Sequence, residues 1–233
     1  MNWLKRLPIH YIGRLQDVRL INFSVDIEEV KPLVPAELSI RNFNGRAVIS
    51  MVNVHLRHMR PKGLPKALGF HYQHIGFRLL VDDAHLNKGE AKGIYFLRSF
   101  TDTPWVAKVG NWMTHYRLSK ARIEDPFNFE LTQGDQFLRY RLTHEQAEQD
   151  DQLKAMIQAV DRAYAVDGDS LLKTQIQREQ WPIQWVGCEG FETNFFKSAR
   201  FLGAFEVPEV IDYEWLPPEK VLVDSRRQML AGV

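Results

Sequence analysis

The sequence predicts an α+β fold that is mostly β: curved antiparallel strands forming a barrel around a cavity, with one long helix. Three observations carry this. The apolar segments of the first 142 residues mostly alternate with period two, as half-buried strands do. Only residues 143–166 sustain a helical period. The 233-residue chain has no linker, internal repeat or shift of composition, so residues 1–233 read as a single domain.

The elements follow in order. Residues 17–25 (DVRLINFSV) alternate and open the fold as a strand. Residues 26–35 read as a short helix, with Asp26 as N-cap, Glu29 completing a capping box, and Pro32 and Pro35 ending it. Residues 42–45 (NFNG) form a turn, because Asn-Gly supplies positive φ. Residues 46–59 are a strand, apolar on both faces and therefore central. Residues 60–69 are a Pro-, Gly- and Lys-rich loop. Residues 70–81 and 94–102 form a strand and its return. Their polar connection, 82–93, carries Asp82 and Asp83, which read as solvated charge. Residues 103–113 suit a short helix with Thr103 as N-cap and Pro104 in its first turn. Alternation resumes over 114–124, and 128–142 reads as strand, Gly134-Asp135 turn, strand. The long helix starts with a Thr143/Gln146 capping box and presents Leu153, Met156, Ile157, Val160 and Tyr164 as a core-facing stripe. A turn at 167–170, one or two strands over 171–192, a short helix at 194–205 and a strand at 221–224 complete the chain.

Composition excludes several classes. The net charge of +1 gives no global electrostatic case for nucleic acid or an anionic membrane. The basic run 55–62 reads as a solvated loop. No stretch approaches the ~18 apolar residues of a membrane span, and the N-terminus lacks the apolar core of a signal peptide. Cys188 is the sole cysteine. It reads as a small buried hydrophobe, and a disulfide-free chain suits the cytoplasm. Phosphate-binding glycine loops, dinucleotide fingerprints and nucleophile elbows are absent. His55 and His58, like His71 and His74, are three residues apart, which places each pair on opposite faces of a strand. Neither metal nor cofactor is expected. A lysine desolvated in a barrel cavity could form a Schiff base with a carbonyl compound. Lys120 and Lys108 are the candidates.

The most informative stretch is GFHYQHIGFRLLV, residues 69–81. Alternation puts Tyr72, His74, Gly76, Arg78 and Leu80 on one face, and His71, Gln73, Ile75, Phe77 and Leu79 on the other. The second face suits packing. The first suits a cavity wall: an aromatic, an imidazole, a glycine leaving room, and a guanidinium. A buried arginine favours an anionic partner. That partner is either a bound anion or one of the protein's own carboxylates, such as Asp102. A pocket of roughly 300 Å³ or more beside Arg78 would favour a ligand.

The order LINFSVDIEEVKPLVPAEL, NGRAVISMVNVHLRHMRP, YQHIGFRLLV and KGIYFLRSFTD resembles the YqjF-like domain-of-unknown-function family, family 2071. That family is similar in fold to the acetoacetate decarboxylase-like superfamily. The family's Tyr-Asn-Glu is here Tyr72-Gln73-His74, and its arginine matches Arg78. The decarboxylases' Schiff-base lysine falls, by this resemblance, at Leu118, with Tyr116 and Lys120 flanking it on the same face. The resemblance thus implies the fold, the cavity and a homo-oligomer, without the decarboxylase chemistry.

The sequence therefore predicts a barrel that binds a small polar or carboxylated molecule through Tyr72, His74, Arg78, Tyr116 and Lys120. The alternative is an enzyme acting on small carbonyl or carboxylate compounds, through a Schiff base on Lys120 or acid–base chemistry at His74. A third reading is an interaction protein whose cavity is filled by its own side chains.

Overall fold

The computed structural model describes residues 8–113, 117–124, 128–143, 149–179 and 182–221. In chain order it contains β1 (Tyr11–Val25), α1 (Ile27–Val30), β2 (Ser39–Ile40), β3 (Asn42–Phe43), β4 (Arg46–Pro61), β5 (Phe70–Asp82), β6 (Gly93–Thr101), α2 (Pro104–Met113), β7 (Leu118–Lys120) and β8 (Arg122–Glu124). There follow β9 (Asn128–Gln133), β10 (Gln136–Thr143), α3 (Asp151–Gln158), β11 (Arg162–Asp167), β12 (Ser170–Arg178), β13 (Gln184–Thr193), β14 (Arg200–Val207), β15 (Ile211–Trp215) and β16 (Glu219–Lys220).

Seven strands close a barrel in the order β4-β5-β6-β11-β12-β15-β1, with β1 returning to β4. Pairing around the ring is antiparallel except between β6 and β11. A second layer, β14-β13-β10-β9-β8, branches from β1. The long strands β1, β4 and β5 divide the interior, because their side chains alternate between two packing surfaces. Ile49, Met51, Ile75, Phe77 and Leu79 belong to a cluster outside the barrel wall that includes Phe195 and Phe196. Val52, Val54, Leu56 and Leu80 belong to the cluster that fills the barrel. The two faces read from residues 69–81 are the two sides of this wall.

Several expectations are corrected. The basic run 55–62 is the outer end of β4 rather than a loop, paired through Ile12↔Arg60 and Tyr11↔Pro61. Over 26–35, α1 and the 3-10 turn Lys31–Leu33 form, but no capping box does. The Glu29 carboxylate accepts from the Lys197 and Ser198 amides instead, and the Asp26 amide donates to Ser198. Residues 194–199 form bends that lead into β14, not a helix. The expected final strand at 221–224 lies mostly outside the described residues.

The long helix is much shorter than its periodicity suggests. Thr143 ends β10, Gln146 lies outside the described residues, and α3 spans only Asp151–Gln158. Its actual cap is Asp150, whose carboxylate accepts the Leu153 amide at 2.9 Å. The stripe of Leu153, Met156, Ile157 and Val160 is buried as expected. Tyr164, however, sits on β11. Residues 162–166 (RAYAV) alternate, and β11 is held between β6 and β12, so sheet pairing overrides helical periodicity there.

Asp83 is also corrected: it is fully buried, not solvated. Its Oδ1 accepts the Lys92 and Gly93 amides at 2.9 and 3.1 Å. Its Oδ2 accepts the Tyr164 hydroxyl at 2.7 Å and the Asn87 amide at 2.8 Å, and pairs with Arg162 Nε at 3.0 Å. A Cβ at position 93 would lie 2.8 Å from Oδ2, so only glycine lets that backbone approach. The cluster joins the β5–β6 connection to β11.

Candidate functional site

The barrel lumen holds a cavity of about 170 Å³. That is below the roughly 300 Å³ that would favour a ligand over a cavity filled by its own side chains, yet slightly more than a benzene-binding cavity of ~150 Å³. β5 contributes Phe70, Tyr72, His74 and Arg78, every second residue except Gly76. β4 contributes Val52, Val54, Leu56 and Met59, brought opposite β5 by the pairs Val54↔His74 and Leu56↔Tyr72. Tyr11 and Leu15 of β1, Phe96 of β6, Ile176 and Arg178 of β12, and Tyr213 and Trp215 of β15 close the wall. Trp105, Val106, Val109 and Gly110 of α2, together with Leu118 of β7, lie across one end. The room left by Gly76 is taken by the protein itself: a Cβ there would lie 2.8 Å from the Phe96 ring.

The wall is apolar and aromatic apart from two guanidiniums and an imidazole. No aspartate, glutamate or lysine is among the described lining residues. Arg78 is 7% exposed. Its Nε donates to the Ser50 carbonyl at 3.2 Å and its Nη2 to the Ser50 hydroxyl at 2.9 Å. No ion pair to Arg78 occurs among the described residues, so Asp102, which is exposed, is not its partner. Burial lowers the Arg78 pKa to about 10. Burial lowers that of Arg178 to about 9, and the nearby charge of Arg78 adds to the effect. Arg178 donates to the Val160 carbonyl. The two like charges disfavour one another, and Tyr213 and Asp161 oppose that effect at Arg178.

His74 faces the same lumen. Burial, then the Arg78 charge, lowers its pKa to about 4, so the ring is neutral at physiological pH. Between the ordinary value of 6.5 and about 4 the unfolded chain binds the proton and the folded chain does not. Stability from this group is complete above pH 6.5 and is lost as pH falls toward 4. Between pH 7.5 and 4.5 the wild type is expected to lose about 1–3 kcal/mol more stability than His74→Gln. Urea unfolding at both pH values measures this, and equal losses would overturn it.

The other predicted residues fall elsewhere. Lys120 and Lys108 are exposed and absent from the cavity wall. Tyr116 lies outside the described residues. Leu118 is the β7 residue that reaches the cavity, because β7 pairs parallel to β6 for only three residues before the chain turns out. His58 and His71 meet across strands, with ring centroids 4.4 Å apart, where a bulge in β4 gives His58 a φ of +54°. Among the described residues no three His, Cys, Asp or Glu side chains converge as a metal site. Cys188 is half-buried, and burial pushes its thiol up to about 12. Sequence reasoning missed Arg178. Its signal was present, two residues after Ile176 on the same face of β12, but nothing local says that this face is the lumen.

The sequence profile of DUF2071, described as an uncharacterized conserved protein, matches residues 13–213. No curated protein matches this chain. Solved structures with a similar fold include an acetoacetate decarboxylase-like enzyme from Sphingomonas wittichii RW1, at 12% identity and a TM-score of 0.61, covering 92% of this chain and 93% of that one. Acetoacetate decarboxylase from Legionella pneumophila is similar at 13% identity and a TM-score of 0.60, with 94% and 88% covered. The enduracididine biosynthesis enzyme MppR, complexed with pyruvate, is similar at 10% identity and a TM-score of 0.53, with 92% and 90% covered. At these identities the likeness is one of fold. Among the described residues no helix is long and apolar enough to cross a membrane.

Proposed function

The chain belongs to the DUF2071 family of uncharacterized conserved proteins, and on that premise we propose that it binds a small organic carboxylate in its barrel lumen, held by Arg78 and Arg178. One observation carries the reading: the buried guanidinium of Arg78, with the half-buried Arg178 in the same wall, faces an apolar cavity, and Arg78 has no ion pair among the described residues. Uncompensated buried charge is costly, and a bound carboxylate offsets that cost with bidentate hydrogen bonds. Neutral His74 and the Tyr72 hydroxyl then serve as hydrogen-bonding groups beside the anion. The pyruvate complex of MppR, on a similar fold, fits the same ligand class.

The same cavity supports a binder without decarboxylase chemistry. A Schiff base requires an amine in the lumen, whereas Lys108 and Lys120 are exposed and Leu118 stands in the wall. Calorimetric titration with pyruvate and butyrate, beside the uncharged butyramide, tests the reading. The acids should bind and the amide should not; equal behaviour of acid and amide would remove the anion site. Borohydride added with pyruvate or acetoacetate is expected to leave the wild-type mass unchanged. A lysine adduct would establish the enzyme alternative.

A further inference from the structure

We propose that the ligand is an elongated amphiphilic monocarboxylate, with its carboxylate at Arg78 and Arg178 and its apolar chain running up the barrel toward α2. This rests on the carboxylate reading above and specifies the ligand's class. The first observation is the length of the lining. On β5 it runs from Phe70 to Arg78, eight residue steps along one strand. At ~3.3 Å per residue that is roughly 26 Å of wall. A molecule of three or four carbons would occupy only its inner end.

The second observation is the distribution of polarity along that wall. Arg78 lies buried at the inner end, whereas Trp105 at the other is 48% exposed and rests edge-on against Phe70, with ring centroids 5.3 Å apart. Between them the opposing strand presents Val54, Leu56 and Met59. The apolar surface continues outside. Leu64 and Leu68, in the β4–β5 connection between Met59 and Phe70, are 45% and 60% exposed. One end of the lumen is therefore built for charge, and the middle and mouth for hydrocarbon. The Tyr11 hydroxyl, buried in the wall without a hydrogen-bond partner among the described residues, adds a polar station partway along the chain's path.

The experiment is calorimetric titration of the full chain with butyrate, hexanoate, octanoate and 1-octanol, repeated on Val109→Trp, which narrows the wall beneath α2. Each added methylene from butyrate to octanoate should tighten binding about two- to fourfold, the upper value corresponding to ~0.8 kcal/mol. Octanol should bind at least tenfold more weakly than octanoate. Val109→Trp should weaken octanoate at least fivefold more than it weakens butyrate, with a circular-dichroism melt confirming that the variant folds. Equal affinity for butyrate and octanoate would overturn the elongated ligand while leaving the carboxylate site standing. Binding by none of the acids would instead remove the carboxylate reading itself.

Discussion

Asp83→Ala is expected to destabilise the protein by about 3–5 kcal/mol, the usual cost of removing one partner of a buried ion pair. In a chain of this length that lowers the melting temperature by roughly 10 °C. The loss has three parts. Arg162 stays in place, 7% exposed, without its 3.0 Å buried partner and with only the half-exposed Asp161 at 3.1 Å. The Lys92 and Gly93 amides and the Tyr164 hydroxyl lose their acceptor. The parallel β6–β11 pairing, registered through Tyr164↔Tyr95, loses its link to the β5–β6 connection. The exposed neighbour Asp82, changed to alanine, should cost less than about 1 kcal/mol. The double variant Asp83→Leu, Arg162→Met should recover much of the loss, because it removes both charges of the buried pair, and Asp161, the other carboxylate beside Arg162 at 3.1 Å, is half-exposed. Thermal melts of the four proteins measure this. An Asp83→Ala melt within 2 °C of wild type would show that the cluster adds nothing to stability.

Arg78→Met is expected to do the opposite to stability and to weaken carboxylate binding sharply. Arg78 has hydrogen bonds to Ser50 but no ion pair among the described residues. Its pKa falls from 12.5 to about 10 because the charged form is desolvated. A cation whose folded pKa is lowered destabilises the fold at any pH below that value. Methionine retains most of the aliphatic stem and removes the charge. The free variant should therefore melt at or above the wild-type temperature, with a gain of up to about 3 kcal/mol. Carboxylate affinity should drop at least about 30-fold, equivalent to 2 kcal/mol or more for a desolvated charge pair that loses one partner. Conversely, if Arg78→Met melts 10 °C lower while acids bind unchanged, the guanidinium is a structural group and the anion site lies elsewhere. Both arginines are 7% exposed, but among the described residues Arg162 pairs with carboxylates and Arg78 does not.

Local pattern was a good guide wherever burial depends on alternation alone. The period-two reading of residues 70–81 separated Tyr72, His74 and Arg78 from Ile75, Phe77 and Leu79. The barrel wall keeps that separation, because adjacent side chains of a strand cannot share a face. The double-sided apolarity of residues 46–59 identified β4 as central, and β4 is indeed flanked by β1 and β5. The pattern failed where a helical period and a strand period coincide. Val160 and Tyr164 continue the stripe of α3 on paper, but pairing with β6 and β12 is available to residues 162–167, and it takes them.

The sequence by itself determined the fold class, the strand face that lines the cavity, and the absence of a lysine at position 118. These follow from residue identity and from periodicities imposed by local backbone geometry. Only the tertiary structure decided that Arg178 joins Arg78, that Asp83 is buried, and that Lys120 stands outside. Each of these depends on which distant strands close the ring. A charge is solvated or buried according to what the closure places around it, and residues a hundred positions apart carry no local record of that.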